Sequence, residues 1–200
     1  MNGAARTATA LLTGYLVGTI PSADLATRLA VGAERDLRQE GSGNPGAFNA
    51  AARLGRRWGA AVLAADIAKG AAAGRIGGAV AGPAGAYLAA TAAIAGHIAP
   101  IWTRGRGGKG VATSAGACLA VFPAYFPIDA AVAASAAAAG RNAEQAIKVS
   151  SAAWCAAAFV WWRARLPNAW GPPATGGLPA FAVASSIMIL AKFRIARRTA

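Results

Sequence analysis

Long stretches of small and apolar residues alternate with short polar segments along this 200-residue chain. A helix that crosses a bilayer needs roughly 20 apolar residues. The pattern predicts seven spans, and the fourth and fifth are short enough to form a re-entrant pair. The spans are 8–31, 58–76, 79–102, 111–126, 127–139, 147–162 and 178–192. Because alternation with a period of two is absent, we predict an all-α fold, a polytopic membrane helix bundle of about seven transmembrane helices.

Composition agrees with this pattern, since 56% of the residues are hydrophobic and only 14% are charged. Soluble domains carry about 25% charged residues, so this chain has too few polar residues to cover a soluble fold of its size. The length fits a single integral membrane domain over residues 1–200. Cys118 and Cys155 lie in apolar stretches, and we expect small buried side chains rather than a disulfide or a metal-binding pair.

The chain is strongly basic, with 20 Lys and Arg against 7 Asp and Glu and a net charge of +13. The basic residues form short clusters rather than one stripe, which argues against a nucleic-acid partner. The positive-inside rule predicts a multi-pass membrane protein with its N-terminus outside and its C-terminus cytoplasmic. The predicted cytoplasmic set is Arg35, Arg38, Arg53, Arg56, Arg57, Arg104, Arg106, Lys109, Arg141, Lys192, Arg194, Arg197 and Arg198, and the opposite side carries mainly Arg75, Arg163 and Arg165.

Two polar segments are rich in glycine. The first glycine loop is Gly41–Asn49, and the second glycine loop is Arg106–Thr113. Glycines let backbone N–H groups turn inward and close on an anion, and neighbouring Arg and Lys residues supply charge. Both loops fall on the predicted cytoplasmic face, so we expect one shared site for a phosphorylated substrate at the membrane surface.

Two nucleotide-binding interpretations of these loops do not hold. Gly41–Gly46 satisfies G-x-G-x-x-G, with Asp66 20 residues further on, but no apolar strand precedes it and no βαβ pattern follows. Lys109 is not a Walker lysine, because Gly110 follows it and Thr103 stands where the first glycine belongs.

Four motifs carry a family resemblance in their order and spacing. They are Asp36-Leu37-Arg38-x-x-Gly41-Ser42-Gly43-Asn44-x-Gly46-Ala47-x-Asn49, then Asp66-x-x-Lys69-Gly70, then Gly96-His97-x-x-Pro100, then Gly107-Gly108-Lys109-Gly110-Val111-Ala112-Thr113. Over residues 14–113 the chain resembles the bacterial acyl-phosphate:glycerol-3-phosphate acyltransferases, the PlsY family, as a divergent member. The second half resembles that family mainly in the layout of its spans.

The resemblance implies a multi-pass enzyme of phospholipid biosynthesis in the bacterial cell membrane, that is, the inner membrane. Such an enzyme moves a fatty acyl group from acyl phosphate to the 1-hydroxyl of glycerol 3-phosphate and releases lysophosphatidic acid and phosphate. It implies no metal and no other cofactor. The implied partners are acyl phosphate, glycerol 3-phosphate, membrane lipids and other phospholipid-synthesis enzymes. The mechanism implied is substrate-assisted, with a phosphate oxygen taking the hydroxyl proton.

The candidate site residues come from the two loops and their neighbours. We expect Ser42, Arg53 and Lys109 to be catalytic. The expected substrate-binding residues are Arg38, Gly41, Gly43, Asn44, Gly46, Asn49, His97, Gly107, Gly108, Gly110 and, by its place in the family pattern, Ser150. Lys109 suits phosphate as a point charge, and Arg53 or Arg38 suits it as a planar fork.

Structural roles compete with these functional ones. Ser42 is also a candidate capping serine, Lys109 a solvated interfacial lysine, and Arg53 a positive-inside anchor. His97 either donates to a backbone carbonyl or lines the site. Asp66 and Lys69 face each other at i, i+3 and predict an ion pair inside the membrane that fixes the bundle.

Three departures from the family pattern keep a second hypothesis open. Arg53 stands one place later than the family's arginine, Phe48 replaces a threonine, and the family's tail motif His-Arg-x-Asn-Ile is absent from the end of the chain. A degenerate, non-catalytic relative that binds phospholipid head groups or a partner acyltransferase is therefore the alternative. A small-molecule permease would need more polar residues within the spans than this chain has.

Overall fold

The computed structural model describes residues 2–139 and 142–198, and within them the protein is all-helical, as predicted. Arg141, assigned by its charge to a cytoplasmic loop, lies outside the described residues. The helices of these ranges are α1 (Gly3–Gly18), α2 (Ser22–Val31), α3 (Ala47–Leu54), α4 (Arg56–Ile98), α5 (Val111–Val121), α6 (Phe126–Ala138), α7 (Ala143–Arg163) and α8 (Gly177–Arg198), with a 3₁₀ turn at Ile101–Thr103.

Helix α4 is a hairpin of two antiparallel arms, 56–80 and 83–98. Ala81 leaves the helical region, Gly82 has φ +64°, and Pro83 cannot donate a backbone hydrogen bond. The backbones approach closely, because a methyl group placed on Gly77 would collide with the carbonyl of Gly85. The two arms correspond to the predicted spans 58–76 and 79–102.

The predicted span 8–31 is wrong as a single helix. Helix α1 ends at Gly18 and α2 begins at Ser22, because Pro21 has no N–H to continue the ladder. Two further differences are that α5 ends at Val121, before Pro123, and that α8 continues past residue 192. The short helix α3 has no counterpart among the predicted spans.

The ends of the helices lie on two different faces of the bundle. Arg6 near the start of α1 donates from Nε to the carbonyl of Val80 at the hairpin turn, over 2.6 Å. At the other end, Trp102 donates to Thr19 Oγ1 over 3.0 Å. The amino end of α1 and the hairpin turn thus lie on one face, and the residues that follow α1 and α4 lie on the other.

Seven helical segments account for the predicted spans: α1, the two arms of α4, and α5 to α8. By length and composition, two stretches of the described chain are long and apolar enough to cross a membrane. They are Arg56–Thr103, with mean hydropathy 1.3, and Gly177–Ala196, with mean hydropathy 1.6.

The helices pack through small residues in one half of the bundle and through aromatic residues in the other half. Helix α1 lies against the second arm of α4 through Gly14 and Gly18, where an added methyl would collide with backbone. The second arm, α5, α7 and α8 share a core in which Trp154 meets Phe181 edge-on at 5.5 Å. Cys118 is buried in this core as expected. Cys155 is only half-buried, with Sγ 3.6 Å from Ser186 Oγ.

Candidate active site

The two glycine loops end in the same way. The first reaches Gly46, the N-cap of α3, and the second reaches Gly110, the N-cap of α5. Neither helix has a side-chain hydrogen bond at its cap, so the first N–H groups of each helix lack a capping partner. Such helix ends carry partial positive charge and attract anions.

Arg38 joins the two loops. Its Nε donates to the carbonyl of Arg106 over 2.7 Å, and its Nη1 and Nη2 bond both carboxylate oxygens of Asp24 at 2.7 and 3.0 Å. Nη1 also donates to Asp36 Oδ1 over 2.9 Å. Four donor contacts to protein leave this guanidinium little capacity to hold a substrate phosphate.

The pKa of Arg38 agrees with a structural role for its charged guanidinium. Burial beneath the loops lowers the pKa of Arg38, but the hydrogen bonds and charges of Asp24 and Asp36 more than offset burial. The pKa therefore lies above its ordinary value, and the guanidinium stays charged.

The first glycine loop is shaped by its glycines and by Asn49. Gly41 and Gly43 have φ of +56° and +65°, which glycine adopts without strain. The buried amide of Asn49 donates to the carbonyls of Leu37 and Glu40 at 2.9 and 3.0 Å, and its Oδ1 accepts from the Ser42 N–H at 3.3 Å. Asn49 thus holds the loop in shape with the same atoms that a substrate contact would need.

Ser42 and Arg53 stand at the open side of this loop. Ser42 is exposed, and its hydroxyl has no recorded protein partner among the described residues. A methyl on Gly41 would lie 2.8 Å from Arg53 Nε and 3.2 Å from Arg53 Nη2. The long side chain of Arg53 therefore reaches back to the loop although it stands one place later than the family's arginine. Asn44 is half-buried in the same loop, and its backbone carbonyl accepts from the Gly46 N–H at 2.8 Å.

The second glycine loop uses its glycine amides differently from the cradle that the sequence predicted. The N–H of Gly107 donates to the Ile98 carbonyl and that of Gly108 to the His97 carbonyl, both at 3.1 Å. These two amides cap the C-terminal end of α4 and are not turned toward an anion. The N–H groups without a side-chain cap lie further on, in the first turn of α5 after Gly110.

Lys109 lies between these two parts of the loop. Its ammonium stands over the ring of Phe193 on α8, with Nζ 4.4 Å from the ring centroid. Ser150 is half-buried on α7, and the described residues record no contact that joins it to either loop.

A buried polar cluster packs against the second glycine loop. Asp66 Oδ1 lies 2.8 Å from Lys69 Nζ, 2.9 Å from Ser22 Oγ and 3.5 Å from His97 Nδ1. Lys69 also donates to the carbonyl of Ile20 over 3.0 Å. The predicted ion pair of Asp66 and Lys69 is confirmed, and its contacts join the first arm of α4 to the break between α1 and α2.

His97 faces this cluster rather than a backbone carbonyl. Its side chain has a carboxylate neighbour in Asp66, and its Nε2 edge lies against Gly108. The imidazole, Asp66, Lys69, Gly107 and Gly108 line a cavity of about 20 Å³, which has room for one water molecule. Arg38 and Pro45 also line this pocket, so it faces the space between the two glycine loops, which is the candidate site.

Sequence reasoning missed two residues that contact predicted site residues, namely Asp24 at Arg38 and Phe193 at Lys109. Asp24 could have been recognised from the sequence, because a carboxylate inside a predicted membrane span requires a polar or charged partner. Phe193 carried no signal, because one aromatic residue in an apolar helix is ordinary.

The fold and the site define a polytopic, all-helical membrane protein in which two glycine loops and two uncapped helix N-termini lie at one end of the bundle. A sequence profile of the glycerol-3-phosphate acyltransferase family matches residues 8–198. The chain belongs to this family.

Individual relatives agree with this assignment. A glycerol-3-phosphate acyltransferase of Bacillus velezensis is 41% identical over 116 residues, which cover 58% of this chain and 59% of that protein. One of Nitrobacter winogradskyi is 47% identical over 110 residues, covering 54% and 55%. The chain thus spans little more than half the length of the curated relatives it matches.

Solved structures extend the similarity over more of the fold. The glycerol 3-phosphate form of PlsY, an integral membrane glycerol 3-phosphate acyltransferase, superposes with a TM-score of 0.75 at 26% identity. The match covers 94% of this chain and 88% of that one. The lysophosphatidic acid form of PlsY gives the same values.

Proposed function

We propose that this protein transfers a fatty acyl group from acyl phosphate to the 1-hydroxyl of glycerol 3-phosphate, in phospholipid biosynthesis. One observation carries the proposal: Arg38 joins two glycine loops, each of which leads into a helix whose N-terminus has no side-chain cap. Both substrates carry phosphate, so two adjacent anion-binding helix ends suit them. The PlsY forms with glycerol 3-phosphate and lysophosphatidic acid support this choice of substrate and product.

Two cations supply charge beyond the helix ends. Arg53 lies against Gly41 in the first loop, and Lys109 precedes the N-cap of α5 in the second. An arginine presents a planar fork to phosphate and a lysine a point charge. We assign Arg53 and Ser42 to one phosphate and Lys109 to the other, and Gly41, Gly43, Asn44, Gly46 and Gly110 to the backbone that surrounds them.

The acyl chain has an apolar approach to the same place. Phe48 in the first loop is 94% exposed, and Ile101 and Trp102 beside the second loop are 62% and 66% exposed. Large exposed apolar side chains next to a polar site are typical of a lipid-facing surface. The acyl chain would lie along this surface while its phosphate lies between the loops.

The transfer itself needs mainly alignment. The 1-hydroxyl oxygen of glycerol 3-phosphate attacks the acyl carbonyl carbon, an ester C–O bond forms, and the bond from that carbon to the phosphate oxygen breaks. The departing phosphate takes the hydroxyl proton, so no protein base is required. Holding two reactants in place can lower the barrier by about 7–11 kcal/mol at best.

Turnover by the purified protein tests the proposal. We expect the protein, supplied with acyl phosphate and glycerol 3-phosphate, to release inorganic phosphate and lysophosphatidic acid in equal amounts. Lys109→Ala should abolish most of this activity. Lys148→Ala is the matched control, because Lys148 pairs with Glu144 on the surface of α7 at 2.7 Å.

Two results would contradict the proposal. The first is turnover by the wild-type protein no higher than that of Lys109→Ala. The second is tight binding of glycerol 3-phosphate without acyl transfer, which is the behaviour of the non-catalytic alternative. Neither the fold nor the relatives favour that alternative.

We also propose that the face carrying both loops is cytoplasmic and that the N-terminus lies outside. Most arginines near the helix ends lie on the loop face, as the positive-inside rule requires. In a protein whose Cys118 and Cys155 are replaced by alanine, Gly3→Cys should react with a membrane-impermeant thiol reagent in intact spheroplasts. Arg57→Cys should react only in inverted vesicles, and the reverse pattern would overturn the orientation.

A further inference from the structure

The last turns of α8 form a wall of the second glycine loop. A methyl on Gly110 would lie 3.4 Å from Ile189 Cγ1, and Lys192 Nζ lies 3.5 Å from the Ile98 carbonyl at the end of α4. Phe193 follows on the same face, nine-tenths buried, beneath Lys109. The end of α8 therefore packs against the part of the loop that leads into α5.

Lys109 is a cation without a carboxylate partner among the described residues. The ion pairs recorded there involve Arg35, Arg38, Lys69, His97 and Lys148. The one recorded side-chain contact of Lys109 is the ring of Phe193, with Nζ 4.4 Å from its centroid. This distance is well inside the range of about 6 Å in which a ring face attracts a cation.

We propose that Phe193 is a positioning residue that holds the Lys109 ammonium at the second glycine loop, ready for a substrate phosphate. The proposal rests on the proposed function, because it takes Lys109 to be a phosphate-binding cation. A ring face attracts an ammonium through its quadrupole but carries no net negative charge that would cancel the charge of the ammonium. Lys109 is thereby ordered while it keeps its full charge and its donors.

A carboxylate in the place of Phe193 would act differently. It would order the lysine but cancel its charge, and an incoming phosphate would have to displace it. The aromatic ring avoids this competition. It occupies the end of α8, and residues 187–200 of the sequence contain no Asp or Glu that could take this place.

The contact itself can be tested without any substrate. In protein labelled with ¹³C at lysine Cε, the Lys109 methylene protons should be shifted upfield by the ring, with the signal assigned by its loss in Lys109→Arg. Phe193→Leu should return the signal to the position of an ordinary lysine. A Lys109 signal at that ordinary position in the wild-type protein would overturn the proposal.

The role of the contact is tested by binding. Replacing the ring in Phe193→Leu or Phe193→Met should raise the dissociation constant of glycerol 3-phosphate, or of inorganic phosphate as a stand-in for acyl phosphate, about tenfold. Phe193→Tyr and Phe193→Trp keep a ring face and should stay within about twofold of the wild type. In turnover the loss should appear in KM for the same substrate, with kcat nearly unchanged.

Phe181→Leu is the matched control for packing. Phe181 is a buried aromatic of the same helix, packed on Trp154 and separate from the loops. This substitution should lower the melting temperature and leave both dissociation constants unchanged. Equal losses of affinity in Phe181→Leu and Phe193→Leu, or equal losses in the tyrosine and leucine variants, would overturn the positioning role.

The outcomes separate this inference from the proposed function. Ring-dependent phosphate binding without acyl transfer would support the role of Phe193 and contradict the enzyme activity. Acyl transfer by the wild-type protein, together with unchanged phosphate affinity in Phe193→Leu, would support the enzyme activity and contradict the role of Phe193. A wild-type protein that binds neither phosphate nor glycerol 3-phosphate would overturn both.

Discussion

Arg38 donates from Nε to the carbonyl oxygen of Arg106 over 2.7 Å, and this bond joins the segment before the first glycine loop to the second glycine loop. The same guanidinium grips both carboxylate oxygens of Asp24 on α2. Three segments that are distant in sequence thus meet at one side chain. The relative position of the two anion-binding helix ends depends on it.

We expect both Arg38→Lys and Arg38→Gln to lower kcat/KM about tenfold or more, since neither replacement reproduces the fork that bridges Asp24 and Arg106. The measurement is acyl transfer by the purified variants. Arg35→Gln is the control and should behave like the wild type, because the pair of Arg35 with Glu40 is exposed. Full activity in Arg38→Lys would show that the fork is dispensable.

The Asp66–Lys69 pair predicts a non-additive pattern of stability. Asp66→Asn leaves a buried ammonium without its counter-charge and should lower the free energy of unfolding by about 3–5 kcal/mol. Asp66→Asn combined with Lys69→Met removes both charges and should be less destabilising than Asp66→Asn alone. Thermal unfolding in detergent gives the stability of Asp66→Asn, Lys69→Met and the double variant. A double variant whose loss of stability equals the sum of the two single losses would contradict the prediction.

Close helix contact predicts a sharp difference between two glycines. A methyl on Gly116 of α5 would lie 2.7 Å from the carbonyl carbon of Ile67, whereas one on Gly78 would meet Ala86 Cβ at 3.5 Å. Gly116→Ala should therefore cost about 1–3 kcal/mol of stability, and Gly78→Ala should be tolerated. Similar melting temperatures for the two variants would show that α4 and α5 can move apart freely.

Ser42 is predicted to act on the substrate and not on the fold. Its hydroxyl has no recorded protein partner in the described part of the chain, so Ser42→Ala should leave the melting temperature unchanged. We expect kcat/KM to fall about tenfold, as for a lost hydrogen bond in the transition state. Unchanged kinetics in this variant would remove Ser42 from the site.

Much of the fold follows from local pattern. The arms of α4 are visible as two apolar stretches, and the i, i+3 spacing of Asp66 and Lys69 specifies their contact before any tertiary structure is known. Pro21 also indicates the break between α1 and α2, but it lies within a long hydrophobic stretch that predicted a single span. Helix α3 was missed because its eight residues are too few to cross a membrane, and the sequence was searched for membrane spans.

The site depends on contacts that local pattern does not contain. Arg38 was expected to bind phosphate, and only the tertiary fold brings Asp24 and Arg106 to it. The amides of Gly107 and Gly108 were expected to face an anion, but the end of α4 approaches them and takes both hydrogen bonds. A glycine motif reveals that the backbone is constrained there, and not which neighbour constrains it.

The spacing of Asp66 and Lys69 also has a consequence for biogenesis. The two side chains lie within one turn of one helix, so they can neutralise each other as soon as that turn forms, without a contact from another helix. Each ionised residue alone would oppose insertion by the translocon by about 2.5–3.5 kcal/mol. The nascent first arm can therefore enter lipid with this pair already neutralised, and His97, which is synthesised later on the second arm, then packs against the carboxylate.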